Sequence, residues 1–230
     1  MSRSHIYGFH FTRLALLPFL LAVFVGCQRR DTSAKVTWEQ EPTKYTLLIV
    51  ADIEVVKSDP RSYDFVIHAI DRYASDRMGE HDQVIISQIS GNDRPLLFQG
   101  TPRELRRAMP NHEEFRNYLI AHSDPGRRLH EGLAESFDYV LNTSSVSRGK
   151  AVPVTLIISS MKEGENEASA SKERFINALI KYHQAGGQMA FYFCDQQRMA
   201  WVREQTAKAG MTWTLLEGNP NGHPPLPSFE

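Results

Sequence analysis

Between residues 45 and 217 the apolar positions change period again and again. Tyr45 to Asp52 is a continuous apolar run rich in branched side chains that ends on an acid, the pattern of a strand buried on both faces of a parallel sheet. Phe65, Ile67, His68, Ile70 and Tyr73 then follow a helical period that starts near Ser62 and stops by Gly79. Gln83 to Ile89 reads as a second strand and Leu96-Leu97-Phe98 as a short third.

Capping chemistry marks the next boundaries. Thr101-Pro102-Arg103-Glu104 puts Thr at an N-cap, Pro at the first helical position and Glu where a capping box needs it. Asn111 with Glu114 repeats the signal and opens a helix carrying Phe115, Tyr118, Leu119 and Ile120. After the turn Ser123-Asp124-Pro125-Gly126, the residues Leu129, Leu133, Phe137, Val140 and Leu141 predict another amphipathic helix. Val152 to Ser159 is the second strongly buried strand, with Pro153 tolerable only near its start.

Phe175, Leu179, Ile180 and Tyr182 give a helix that stops at Ala185-Gly186-Gly187, where Gly permits a left-handed turn. Met189 to Cys194 is a strand, Ala200 to Ala209 a helix, and Met211 to Leu216 an edge strand. Strands alternating with helices define an α/β domain: three layers, a doubly wound and mostly parallel sheet flanked by helices, with right-handed crossovers. The domain is expected over residues 45–217. The stretch 218–230 contains Pro220, Pro224, Pro225 and Pro227 and is expected to be an extended or loose tail.

Composition narrows the function. The 230 residues hold 26 Lys+Arg against 27 Asp+Glu, with 41% hydrophobic residues and two Cys, enough for an ordinary core without disulfide support. No broad basic field exists to release counterions from a phosphate backbone, so nucleic acid is excluded as a partner. The nine His show no metal-ligand spacing, and His112-Glu113-Glu114 and His130-Glu131 read as solvated helix starts. Ser159-Ser160 lacks the Gly-x-Ser-x-Gly elbow of a hydrolase, and no glycine-rich phosphate cradle follows the first strand. Cys194 after Phe191-Tyr192-Phe193 reads as a small buried hydrophobe, and Lys162 to Glu167 as a solvated loop near the strand ends that could serve recognition.

The first 27 residues have their own logic. Arg3 and Arg13 precede an uncharged stretch from Leu14 to Gly26, too short for the roughly 20 residues that cross a bilayer but suited to a signal peptide. Phe24-Val25-Gly26-Cys27 resembles the lipobox of bacterial lipoproteins, with Phe24 where Leu is usual. The resemblance implies a signal peptide over 1–26 and a mature chain starting at Cys27, its sulfur carrying diacylglycerol and fatty acyl chains such as palmitate. Two or more acyl chains anchor firmly, since each buried CH₂ contributes about 0.8 kcal/mol. Gln28 after the Cys, instead of Asp, resembles the sorting pattern for the outer membrane where two membranes exist. Residues 27–44 are polar and aperiodic, a linker lifting the domain from the lipid surface.

Leu48-Ile49-Val50-Ala51-Asp52 first, the turn Gly126-Arg127-Arg128-Leu129-His130-Glu131-Gly132-Leu133 in the middle, and Leu156-Ile157-Ile158-Ser159-Ser160 later resemble, in the order of elements, the von Willebrand factor type A domain. In that family Mg²⁺ is held by Asp-x-Ser-x-Ser after the first strand, a Thr in the middle turn and an Asp after the fourth strand. Here those positions are Asp52, Glu54, Val56, Arg127 or Arg128, and Ser160. Val and Arg supply no oxygen ligand, so the resemblance implies a degenerate site without metal or other cofactor.

Two arrangements of the strand-end residues Asp52, Glu54, Arg127, Arg128, Ser159 and Ser160 follow. Either a guanidinium of Arg127 or Arg128 replaces the ion between Asp52 and Glu54, or Asp52 caps its turn while Glu54 and both Arg face water. The function expected is a membrane-anchored, non-enzymatic module that binds another envelope protein at this face. The alternatives are an envelope enzyme using Asp52 and Glu54 as an acid/base pair, and a spacer without a ligand.

Overall fold

A computed structural model describes residues 44–89, 95–124, 126, 128–164, 167–211, 215–217 and 226–227. Backbone placement alone is described for 215–217. The chain divides into Met1–Glu39 and Gln40–Glu230, and every described residue belongs to the second unit. The expected signal peptide, Cys27, most of the linker and Arg127 lie outside the described residues.

The elements are β1 (Tyr45–Ala51), α1 (Ile53–Ser58), α2 (Pro60–Asp76), β2 (Gln83–Gln88), β3 (Leu96–Gly100), α3 (Pro102–Ala108), α4 (His112–Ala121), α5 (Leu129–Asn142), α6 (Ser144–Ser147), β4 (Val152–Ile158), α7 (Ser169–Gln184), β5 (Gln188–Tyr192), α8 (Gln196–Lys208) and β6 (Leu215–Glu217). The sheet order is β3-β2-β1-β4-β5-β6, with every pairing parallel except antiparallel β2–β3. This is the doubly wound order with one edge strand reversed.

The period of two in each strand builds the layers. Leu47, Ile49 and Ala51 of β1 point to one face, where they meet Val56, Phe65, Val66, Tyr73 and Leu119 from α1, α2 and α4. Leu48 and Val50 point to the other, against Leu133, Phe137, Phe175, Leu179 and Val202 from α5, α7 and α8. Leu47 to Ala51 are all fully buried, and burying each large side chain contributes about 1.5–3 kcal/mol. The α/β class and three-layer arrangement expected from the alternation are those observed.

Local signals act as their chemistry requires. The Thr101 side chain accepts the Glu104 amide while the Glu104 carboxylate accepts the Thr101 amide at 2.7 Å. Asn111 Oδ1 accepts the Glu114 amide at 2.8 Å. Gly186 takes φ +77° after α7. The expected strand to Cys194 stops earlier, because Phe193 adopts φ +62° and turns the chain out of the sheet. Two short helices, α1 and α6, were not in the sequence expectation, and α8 begins four residues sooner than its apolar period.

Of the stretch expected as an extended or loose tail, residues 226–227 are described. Pro227 is buried, Leu226 packs on the first core face, and fully buried Tyr73 Oη donates to the Pro227 carbonyl at 2.6 Å. A deeper constraint lies after α7. Tyr182 is fully buried and its hydroxyl contacts Thr155 Oγ1 at 2.7 Å and the carbonyls of Pro153 and Gln188 at 3.0 and 2.9 Å. A Cβ on Gly187 would lie 2.2 Å from the Tyr182 ring. Gly187→Ala is therefore expected to displace that ring and destabilise the domain by about 2–3 kcal/mol in urea melts; an unchanged midpoint would mean that the ring yields freely.

Candidate functional site

The chain winds outward from β1 through β2 to β3, then returns to β4 on the other flank of β1. Ligands of open α/β sheets gather beyond the carboxyl ends of the strands where winding reverses, here between β1 and β4. Asp52 and Ser159, the residues just after those two strands, occupy this point.

Asp52 is 1% exposed. Its amide donates to the Ile158 carbonyl at 2.8 Å, and its carbonyl accepts the Val55 and Val56 amides that start α1. The carboxylate does not cap α1; instead Oδ2 accepts the Ser159 hydroxyl at 3.1 Å. Ser159 Oγ in turn accepts the Met161 amide at 3.0 Å. One hydroxyl thus joins the ends of β1 and β4 and shapes the turn that follows. Met161 sits at φ 58° and Phe193 at φ 62°, both buried and neither glycine. That backbone costs roughly 1–2 kcal/mol per residue and throws the chain leaving β4 and β5 away from the sheet plane.

Among the described residues, Glu54 and Arg128 have local partners of their own. The Glu54 side chain is 62% exposed and pairs with Lys57 at 3.2 Å. Arg128 pairs with Glu131 at 2.9 Å, a local partner as in the second of the two expected arrangements. Arg128 reaches Glu131 because three residues separate them across the first turn of α5, a shorter path than one over the cleft. Ser160 is half-buried; its carbonyl accepts the Asp195 amide at 3.0 Å and ties the β4 end to the start of α8.

These residues do not fit Mg²⁺, which requires oxygen ligands in near-octahedral array. Val56 is a fully buried hydrocarbon, Glu54 faces solvent and Arg128 is cationic. Among the described residues no group of three or more His, Cys, Asp or Glu is placed to hold a metal.

Around this point the exposed charges are paired. Lys162 meets Asp195 at 3.1 Å, and Glu163 meets Lys172 at 2.8 Å and Arg198 at 3.2 Å. The Lys172 ammonium holds the Glu163 carboxyl below the usual carboxylate range against the opposing effect of burial. The Gln197 amide, then Lys162, does the same for Asp195. Burial, then the nearby Asp195 charge, pushes the Cys194 thiol up to about 11, so this buried thiol is protonated near neutrality and a poor nucleophile.

Sequence reading missed two residues here. His130, expected in a solvated helix start, is fully buried, and Glu167, expected in a solvated loop, has a side chain 2% exposed. The signal for His130 was present: with Leu133, Ala134 and Phe137 it shares the buried stripe of α5. Glu167 gave no such signal, because it belongs to no periodic segment.

No protein-family model matches the chain, and no curated protein matches it. The structure is similar to that of the pilus adhesin SpaC from Lactobacillus rhamnosus GG, with a TM-score of 0.51 and 9% identity over 78% of this chain and 29% of the adhesin. It also aligns with the TFIIH p34 N-terminal domain (TM-score 0.48, 11% identity, 76% of this chain and 90% of that one). A third alignment is with proximal thread matrix protein 1 from the mussel byssus (TM-score 0.41, 8% identity, 77% and 44%). The adhesin alignment shows a shared fold and, at that identity, the fold alone. The chain spans less than a third of the adhesin. Fold and site together define an α/β doubly wound domain whose switch-point carboxylate is held by a hydroxyl.

Ser159→Ala removes that hydroxyl and is expected to cost about 1–3 kcal/mol in chemical denaturation, because a buried carboxylate loses a donor. Glu54→Gln, at a surface pair, is expected to change stability by under about 0.5 kcal/mol. Equal effects of the two substitutions would contradict the placement of these residues.

Proposed function

We propose that this chain is a lipid-anchored, non-enzymatic binding module of the cell envelope, with a degenerate von Willebrand factor type A domain that docks another envelope protein at its strand-end face without a metal ion. One observation carries the choice over an acid/base enzyme: Asp52 is buried on Ser159 while Glu54 lies in solvent with Lys57. Paired carboxylate catalysis needs both groups to reach one substrate bond with separated pKa values. One buried and one solvated carboxylate, each with a local partner, suit that chemistry poorly.

What remains exposed at this face suits a protein partner. Lys162, with 64% of its side chain exposed, Arg128 with 56%, and the partly exposed Asp195 and Glu131 offer both signs of charge in fixed positions. Mixed, prearranged charge favours orientation and selectivity in protein docking and gives no field for a polyanion. Anchorage through Cys27 and the polar stretch 27–44 would hold the domain within reach of neighbours on the same membrane.

A photo-crosslinking side chain at Lys162 in living cells is expected to give a discrete protein adduct, whereas the same probe at Tyr139 or Leu96 is expected to give none. Cys27→Ser is expected to abolish fatty-acyl labelling. Turnover of a substrate that disappears with both Asp52→Asn and Glu54→Gln, with no adduct at Lys162, would overturn the binding reading in favour of the enzyme.

A further inference from the structure

Three buried polar atoms lie together beside the strand-end face. His130 Nδ1 is 3.0 Å from Glu167 Oε2, with the His130 side chain fully buried and that of Glu167 2% exposed. The contact is close but not aligned as a hydrogen bond, and neither atom, nor His130 Nε2, has a hydrogen-bond partner among the described residues. Attraction between opposite charges tolerates such misalignment, whereas a neutral hydrogen bond does not. The ring is enclosed by aromatics, with Trp201 edge-on at 5.2 Å and Phe175 at 5.7 Å between centroids.

The other carboxylate oxygen has a separate task. Arg128, at the N-cap of α5, makes no side-chain cap. Glu167 Oε1 takes that place from across the fold, accepting the amides of His130 and of Glu131, the latter at 3.3 Å. One side chain, remote in sequence, therefore satisfies the exposed end of α5 and pairs with the imidazole beneath it.

An apolar pair of the same volume would avoid the desolvation of two ionisable groups and would often be as stable or more so. We propose that His130 and Glu167 form a proton-operated latch, which pins Glu167, just ahead of α7, to the start of α5 only while the imidazole is protonated and the carboxylate is not. If the ring loses its proton, Glu167 stays buried against a neutral ring. If Glu167 gains one, the imidazolium is left alone among aromatics. Either event leaves one uncompensated charge in an apolar enclosure and favours release.

The charges packed around the pair have partners of their own, although Arg128 also feels the Glu167 charge and Arg174 of α7 lies 3.9 Å from Glu131. On the segment after β4, Glu163 is close enough to feel the charge of His130 but is engaged by Lys172 of α7 and Arg198 of α8. On α5, Glu131 is engaged by Arg128. For Glu167, burial raises the carboxyl pKa, but the His130 ring and the two amides together lower it more, to a net value below the ordinary one. Its contribution is therefore fully present above the usual glutamate range and is lost as pH falls through the depressed folded-state value. As regulation of the docking face the latch rests on the function proposed above; as a property of the fold it does not.

The test uses the full-length chain with Trp38→Phe and Trp213→Phe, so that Trp201 reports alone. Its fluorescence and the exchange protection of the His130 and Glu131 amides are followed from about pH 3 to 9, a span that reaches below the ordinary carboxylate value because that of Glu167 is depressed. Both signals are expected to change together as pH falls through the depressed Glu167 value while far-UV circular dichroism stays constant. Glu167→Gln is expected to flatten the fluorescence response and lower protection of those two amides roughly tenfold. A flat response in the parent chain, or a Glu167→Gln response matching the parent, overturns the latch. Should Glu167→Gln fail to fold, the pH scan of the parent chain decides by itself. Neither readout involves a partner, so failure of the latch and failure of the docking proposal are seen separately.

Discussion

The pairing of β1 with β4 is the constraint from which the rest of the molecule follows. Both strands are central and parallel, and from the second residue of each strand onward every position is buried. A parallel pair cannot be closed by a tight turn, so each return of the chain needs a crossover, and the crossovers supply the helices that bury both faces. The same pairing fixes the switch point, because the chain leaves β1 toward β2 and later re-enters the sheet on the opposite flank at β4.

A carboxylate placed at that point must be compensated locally. Asp52 receives the Ser159 hydroxyl from the adjacent strand end, and the turn after Ser159 is fixed by the amide of Met161 on the same oxygen. Farther out, several described charges have near partners: Glu54 with Lys57, Arg128 with Glu131, Lys162 with Asp195. Each of these surface pairs contributes little to stability. Together they restrict the side chains of the face to local pairs.

Much of this was legible in the chain. The apolar runs ending at Asp52 and Ser159 located both central strands, because a doubly buried strand leaves a continuous hydrophobic signature. The caps at Thr101 and Asn111 located two helix starts, since those hydrogen bonds close within four residues. What was not legible depended on contacts between distant residues. Phe193 carries no turn residue's chemistry, yet it leaves the sheet and its ring joins Phe65 on the first core face, 6.1 Å between centroids. Arg128 could have faced the cleft, and only the fold shows it turned along α5. Glu167 capping a helix start 37 positions away in sequence, and Tyr73 receiving Pro227 from 154 positions away, leave no local pattern at all.

A crystal structure of the domain grown with Mn²⁺, with anomalous scattering collected at the manganese edge, addresses the central claim most directly. The account predicts Ser159 Oγ still seated on Asp52 and no anomalous peak at the end of β1. A manganese peak ligated by Asp52, with the Ser159 hydroxyl drawn away to join it, would contradict a face whose carboxylate is compensated from within the protein.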